Sequence, residues 1–423
     1  MTERFRLAGR AFVSVVLLLA LPSGLRAEGP FAIKQGDRIV FYGDSITDQR
    51  LYTTFVETYV VTRFPALNVS FVHSGWGGDR VTGGGGGPID RRLTRDVFAY
   101  RPSVVTVMLG MNDASYKAFD QKIFDVYAKG YEHLVESLKS NLPGVRITLI
   151  QPSPFDDVTR KPNFEGGYNQ VLIRYGEFVK NLAEKEGAGV ADLNTPVVAA
   201  IKKAVEINAT GAQDLIRDRV HPGPAGQLLM AEALLKAWNA PALVASVELD
   251  AASAKIVKEE NTKLDNLQVN GTISWTQHDM ALPMPIDQKN SGIALAVKAS
   301  DVEQALNQET LKIQGAPASK YGLKIDGENI AELTKDQLAA GVNLAELDTP
   351  MYRQAKAVHD LTLQHNNLHF QRWRSMQVPY ERRGYSGLSK AIEGLDALEA
   401  DMVTEQRAKA TPLPHRIELV PSS

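Results

Sequence analysis

Residues 39–47 read Ile39-Val40-Phe41-Tyr42-Gly43-Asp44-Ser45-Ile46-Thr47. The first four are apolar without polar alternation, the pattern of a strand buried on both faces of a parallel sheet. Gly43 stops the run, and Asp44 and Ser45 set a carboxyl and a hydroxyl where the chain turns away. In an open parallel sheet that turn lies outside the carboxyl end of a strand, where ligands bind. The stretch predicts a hydroxyl-bearing loop at the working edge of an α/β domain.

The pattern repeats outward from there. Residues 69–72, 104–109, 145–150 and 190–193 are further short runs rich in β-branched residues. Longer amphipathic stretches at 52–63, 89–100, 119–141, 168–186 and 196–205 alternate with them. A last one at 225–238 follows Pro222 and Pro224, which suit the first turn of a helix. Five strands alternating with helices predict a three-layer α/β domain over residues 31–243. The five glycines at 83–87 have no Gly-Lys-Ser/Thr after them, so they read as a flexible loop rather than a phosphate cradle.

Residues 244–423 read differently, as an α+β or mostly helical extension. Segments 264–275, 293–297 and 311–314 predict strands. Segments 321–325 and 329–333 flank Asp326-Gly327, a hairpin turn signal. Residues 351–374 and 386–407 predict two long helices.

The chain has 423 residues, 44% hydrophobic and 23% charged, with a formal net charge of −2. Those values suit a globular protein and argue against nucleic acid as a partner, which needs a basic excess. With no cysteine there is no disulfide, thiolate nucleophile or thiolate metal site. Arg4, Arg6 and Arg10, the apolar run 11–21, and Leu25-Arg26-Ala27 predict an export signal over residues 1–27, cleaved after Ala27. The run is too short to span a bilayer. The expectation is an exported protein, periplasmic or extracellular, without a stable membrane span.

Four loops carry the chemistry: Gly43-Asp44-Ser45, Gly77-Gly78-Asp79, Gly110-Met111-Asn112-Asp113 and Asp218-Arg219-Val220-His221. The first three follow predicted strands, and the fourth precedes the last helix. A serine hydroxyl becomes a good nucleophile when an imidazole takes its proton and a carboxylate fixes the imidazole. Ser45, His221 and Asp218 supply those groups. Acyl transfer also puts negative charge on the carbonyl oxygen, and the Asn112 amide with the Ser45 and Gly78 backbone N–H groups can receive it. Asp44 and Asp113 read as local structural carboxylates.

These loops resemble the SGNH hydrolases of the GDSL esterase/lipase superfamily. The family has Gly-Asp-Ser after its first strand, a glycine after its second, Gly-x-Asn-Asp after its third, and Asp-x-x-His near its end. The resemblance covers roughly residues 37–240. It implies a flavodoxin-like α/β/α fold with a parallel five-stranded sheet, nucleophile Ser45, triad partners Asp218 and His221, and oxyanion donors Ser45, Gly78 and Asn112. It implies no metal and no organic cofactor. The second block departs from the pattern: His73 stands where an asparagine is usual, and Gly75 competes with Gly78 for the oxyanion role. The Gly-x-Ser-x-Gly elbow of α/β-hydrolases is absent in both family and chain.

The expected activity is hydrolysis of small acyl esters, acetyl foremost, on small molecules or polysaccharides, with Trp76 either a surface for stacking a sugar or a buried packing residue. A lipid or thioester esterase, and a glycan-binding envelope protein with a vestigial site, are the competing readings. In the extension, His365 and His369 are four apart on a predicted helix, a spacing that could share a metal, but no Glu lies between them and no third ligand is evident, so with His359 they read as packing or hydrogen-bonding groups. Arg372, Trp373 and Arg374 read as docking that helix on the first domain, with a sugar- or partner-binding surface as the alternative. Asn68, Asn208 and Asn270 each begin a glycan acceptor tripeptide.

Overall fold

The computed structural model describes residues 29–422, so the predicted export signal lies outside the described residues. Five parallel strands form the first sheet: β1 (Arg38–Gly43), β2 (Ser70–Gly75), β3 (Val104–Met108), β4 (Arg146–Ile150) and β5 (Gly189–Ala191), in the order β2-β1-β3-β4-β5. The side chains of the first four are buried almost throughout, the reason these segments show no alternation in sequence. Strand order reverses between β1 and β3, which opens a crevice at their carboxyl ends.

Helices α1 (Ser45–Asp48), α2 (Leu51–Arg63), α3 (Ile89–Asp96), α4 (Gln121–Asn141), α5 (Gly167–Glu186), α6 (Thr195–Ala212) and α7 (Pro224–Ala237) complete this part. α2, α6 and α7 pack side by side, as do α3, α4 and α5, giving the three layers expected. Pro224 opens α7 as anticipated.

The extension holds two further sheets. β6 (Leu243–Asp250), β7 (Lys255–Glu260), β10 (Gln308–Gln314) and β13 (Val342–Asn343) form one, in the order β13-β10-β6-β7. β8 (Thr262–Asn270), β9 (Thr272–Asp279), β11 (Lys320–Ile325), β12 (Glu328–Thr334) and β14 (His415–Ser422) form the other, in the order β8-β9-β14-β11-β12. Val247, Leu249, Leu311 and Ile313 from one sheet and Trp275, Leu323, Ile417 and Leu419 from the other share one core. The strands β6, β7 and β14 have no counterpart among the predicted segments.

Two predicted segments are corrected. The strand expected at 264–275 is a hairpin, β8 and β9, turning at Gly271 with φ +94°. Asn270-Gly271, part of a glycan acceptor pattern, is the turn. The strand expected at 293–297 is helix α8 (Ser291–Ala299). Asn290 caps it by accepting the Gly292 and Ile293 N–H groups, and its apolar residues bury against α6 and α7. A five-residue apolar run carries no period that separates strand from helix. The Asp326-Gly327 hairpin forms as expected, with φ +52° and +82° at the two turn residues.

Between β13 and β14 the chain makes two long helices, α9 (Pro350–Phe370) and α10 (Gly387–Ala410), which return to the first domain and pack along α2 and the β2 edge. A π-helical turn, Gln371–Gln377, extends α9 past Phe370.

Candidate active site

Ser45 is the first residue of α1, immediately after β1. Asp44 caps that helix, its Oδ1 accepting the Ile46 N–H at 3.0 Å. Burial pushes the Asp44 carboxyl up to about 7 against the pull of the Ile46 amide, and nearby Asp113 and Asp79 add to the rise. Capping therefore occupies this carboxyl. Asp113 is likewise pushed up to about 7 by burial, and it accepts the Val81 N–H at 2.9 Å.

His221 comes from the loop before α7. Its Nε2 lies 2.8 Å from Ser45 Oγ, and its Nδ1 lies 2.6 Å from Asp218 Oδ2. Asp218 Oδ1 accepts the Val220 and His221 N–H groups at 3.0 and 2.7 Å, which fixes the carboxylate before it meets the ring. Partial burial pushes Asp218 up, but these amides and the ring outweigh it and its pKa is lowered. An ionised carboxylate at Nδ1 holds the proton there and leaves Nε2 free to accept from the serine.

Buried Gln227, on α7, locks the two loops together. Its Nε2 donates to Gln49 Oε1 at 2.7 Å, and its Oε1 accepts the Tyr52 N–H at 3.0 Å. The chain leaving the nucleophile helix is thereby tied to the helix that follows the histidine loop. Sequence reasoning passed over Gln227; its signal was an uncharged polar residue inside the apolar stretch 225–238.

The loop after β2 lies against Ser45. A side chain on Gly77 would approach Ser45 Cβ at 4.0 Å, and the Gly77 N–H is donated to Asp48 Oδ2 at 3.2 Å. Gly78 follows with φ +77°, and nothing stands within 4 Å of where its side chain would be. Gly75 differs. A Cβ there would come 2.7 Å from Asp48 Cα, so this glycine lets α1 pack on the end of β2. Of the two candidates, Gly78 faces open space and Gly75 faces backbone.

Asn112, after β3, donates from Nδ2 to the Asp79 carbonyl at 3.0 Å, joining its loop to the one that carries Gly78. Below that loop, fully buried Arg92 donates to Asp79 Oδ2 and the Ser74 carbonyl at 2.7 and 2.8 Å and pairs with Asp96. Sequence reasoning passed over Arg92, which lies within the amphipathic stretch 89–100.

Trp76 does not present an open stacking face. It is 8% exposed, lies edge-on to Trp373 at 5.6 Å, and is covered by the Arg374 guanidinium at 3.2 Å from its ring centre. The extension fills the space a sugar would need. Trp373 docks as expected, donating from Nε1 to Asp96 Oδ1 at 2.7 Å. His73, in the position of the usual asparagine, contacts Thr53 Oγ1 at 2.7 Å and Glu57 Oε2 at 3.2 Å in a buried network away from Ser45. Among the described residues, no group of three or more His, Asp or Glu side chains is arranged to hold a metal, and no helix is long and apolar enough to cross a membrane.

The arrangement can activate a hydroxyl and receive charge on a carbonyl oxygen beside it. Comparison with known proteins agrees in kind. Residues 41–229 match the GDSL-like lipase/acylhydrolase family. An acetylxylan esterase of Geobacillus stearothermophilus is 27% identical over 222 residues, 48% of this chain and 94% of that protein. The structure of BT4096, a gut microbial diltiazem-metabolizing enzyme, is 26% identical with a TM-score of 0.80, covering 92% of this chain and 98% of that one. That likeness takes in the extension as well as the sheet domain.

Proposed function

We propose that this chain, an ester-cleaving SGNH hydrolase of the GDSL kind, is an exported serine esterase that removes small acyl groups, acetyl foremost, from carbohydrate esters. The observation that carries the reading is the unbroken hydrogen-bonded line from Ser45 Oγ through His221 to Asp218, at 2.8 and 2.6 Å. Ser45 Oγ attacks the ester carbonyl carbon as His221 Nε2 takes its proton. Negative charge on the carbonyl oxygen is met by the Ser45 and Gly78 N–H groups and the Asn112 amide. The carbon–oxygen bond to the alcohol breaks, and His221 returns the proton to the departing oxygen. Water, deprotonated by the same nitrogen, then cleaves the acyl-serine and releases the acid.

Carbohydrate as the substrate class is supported by the relative named an acetylxylan esterase, and by the openness of the site. The side chains of His221 and Asp218 are 37% and 57% exposed, so a polymer can approach them. The neighbour described as diltiazem-metabolizing supports action on small molecules too. Export rests on Arg4, Arg6 and Arg10, the apolar run after them and the Leu25-Arg26-Ala27 site.

The test is acetate release from acetylated xylan, beside hydrolysis of acetyl and octanoyl chromogenic esters, by wild type and Ser45→Ala. Wild type is expected to release acetate and favour acetyl, and the folded variant to do neither. An octanoyl preference would move the substrate to lipids. Wild-type rates in Ser45→Ala would remove Ser45 from its role.

A further inference from the structure

The loop after Asn112 has two successive residues other than glycine in the left-handed region, Ser115 at φ +60° and Tyr116 at φ +56°. Such strain persists where the surrounding structure enforces it, and it concentrates at functional sites. Here it brings the Tyr116 ring onto Tyr168, stacked at 5.0 Å and 28°, with Phe155 at 6.3 Å. Tyr168 in turn donates its hydroxyl to the carbonyl of Met111, the residue before Asn112. The ring is 43% exposed, yet its hydroxyl is engaged, donating to Asn112 Oδ1 at 3.0 Å.

We infer that Tyr116 is a positioning residue for ester hydrolysis, holding the Asn112 amide so that its free N–H meets the developing oxyanion; this rests on the esterase reading above. The Asp79 carbonyl accepts one Nδ2 hydrogen and so decides which end of the amide is nitrogen. The Tyr116 hydroxyl satisfies Oδ1, stops rotation about the amide and polarises it, which strengthens the remaining N–H as a donor. That N–H has no acceptor among the described residues. Burial, reinforced by Asp44 and Asp218, pushes the Tyr116 hydroxyl up to about 12, so it stays a donor wherever the enzyme works.

The experiment is a double-mutant cycle of Tyr116→Phe and Asn112→Ala, reading kcat and KM separately on a chromogenic acetyl ester and checking each fold by thermal unfolding. Tyr116→Phe keeps the stacked ring and removes one oxygen. It should lower kcat about five- to tenfold, the size of one net hydrogen bond, with KM within about twofold. In the Asn112→Ala background it should cost nothing more. An unchanged kcat in Tyr116→Phe, or losses that multiply fully in the double variant, would overturn the positioning role while leaving the esterase reading intact. An unchanged kcat in Asn112→Ala would overturn both.

Discussion

Two of the molecule's histidine–carboxylate pairings serve opposite ends. At the sheet edge, His221 touches one carboxylate and one hydroxyl, and solvent reaches both side chains of the pair. Where the long helices meet α2, His365 is 2% exposed, with Nε2 2.7 Å from Glu57 Oε1 and Nδ1 3.7 Å from Glu399. Glu57 Oε1 also accepts from Gln406 at 3.1 Å, and Oε2 is shared by His73 and Asn366 at 3.2 Å each. Burial alone would lower the His365 pKa, but Glu57 and Glu399 outweigh it and raise it to about 9. A ring held protonated can neither take a proton nor ligate a metal, so this cluster is an interface bolt. An imidazole serves as a base when its second nitrogen faces a group that can give it a proton.

The contrast breaks most plainly on activity. Asp218→Asn should cost roughly 10⁴-fold in kcat through the wrong imidazole tautomer, while leaving the thermal midpoint within a few degrees, because the side chain is largely exposed. Steady-state rates and calorimetry on one sample read both. A large loss of stability would mean that the loop is structural as well.

Glu57→Gln should do the reverse. It strips a buried ion cluster of its carboxylate and should destabilise by about 3–5 kcal/mol in denaturant unfolding. Acetyl-ester hydrolysis by the folded fraction should change by less than about tenfold. Wild-type stability with lost activity would make the two regions one site.

The smallest effect is on pH. His365, raised to about 9, adds stability that is fully present below its unfolded value near 6.5 and is lost as pH rises from there through 9. Burial pushes Glu399 up, but His365 and His369 outweigh it and lower it to about 2, so its contribution is present above about 4.5 and is lost on acidification toward 2. Docking of the helices should thus be strongest between about 4.5 and 6.5. Thermal midpoints taken from pH 6 to 9 should fall in wild type and fall less in His365→Gln. Parallel curves would exclude His365 as the titrating group.

The two regions also differ in how far sequence reveals them. Ser45 and Asn112 lie just past β-branched runs and His221 just before a helix marked by two prolines, so local pattern alone placed them at one sheet edge. Glu57 sits mid-helix in an amphipathic stretch, and its burial depends on His365, 308 positions away. No local period encodes that. Helices α9 and α10 were legible by spacing, and the docking of the first on the sheet domain through Trp373 was expected, but the residues they meet were not. Sequence reasoning passed over Tyr116, since its placement follows from a backbone conformation that no residue type announces.

The most direct measurement on the site is mass spectrometry of the protein after brief exposure to a fluorophosphonate, in wild type and His221→Ala. A single adduct on the peptide containing Ser45, formed orders of magnitude more slowly without His221, is the result expected. An adduct on another residue, or equal labelling rates in the two proteins, would contradict the account.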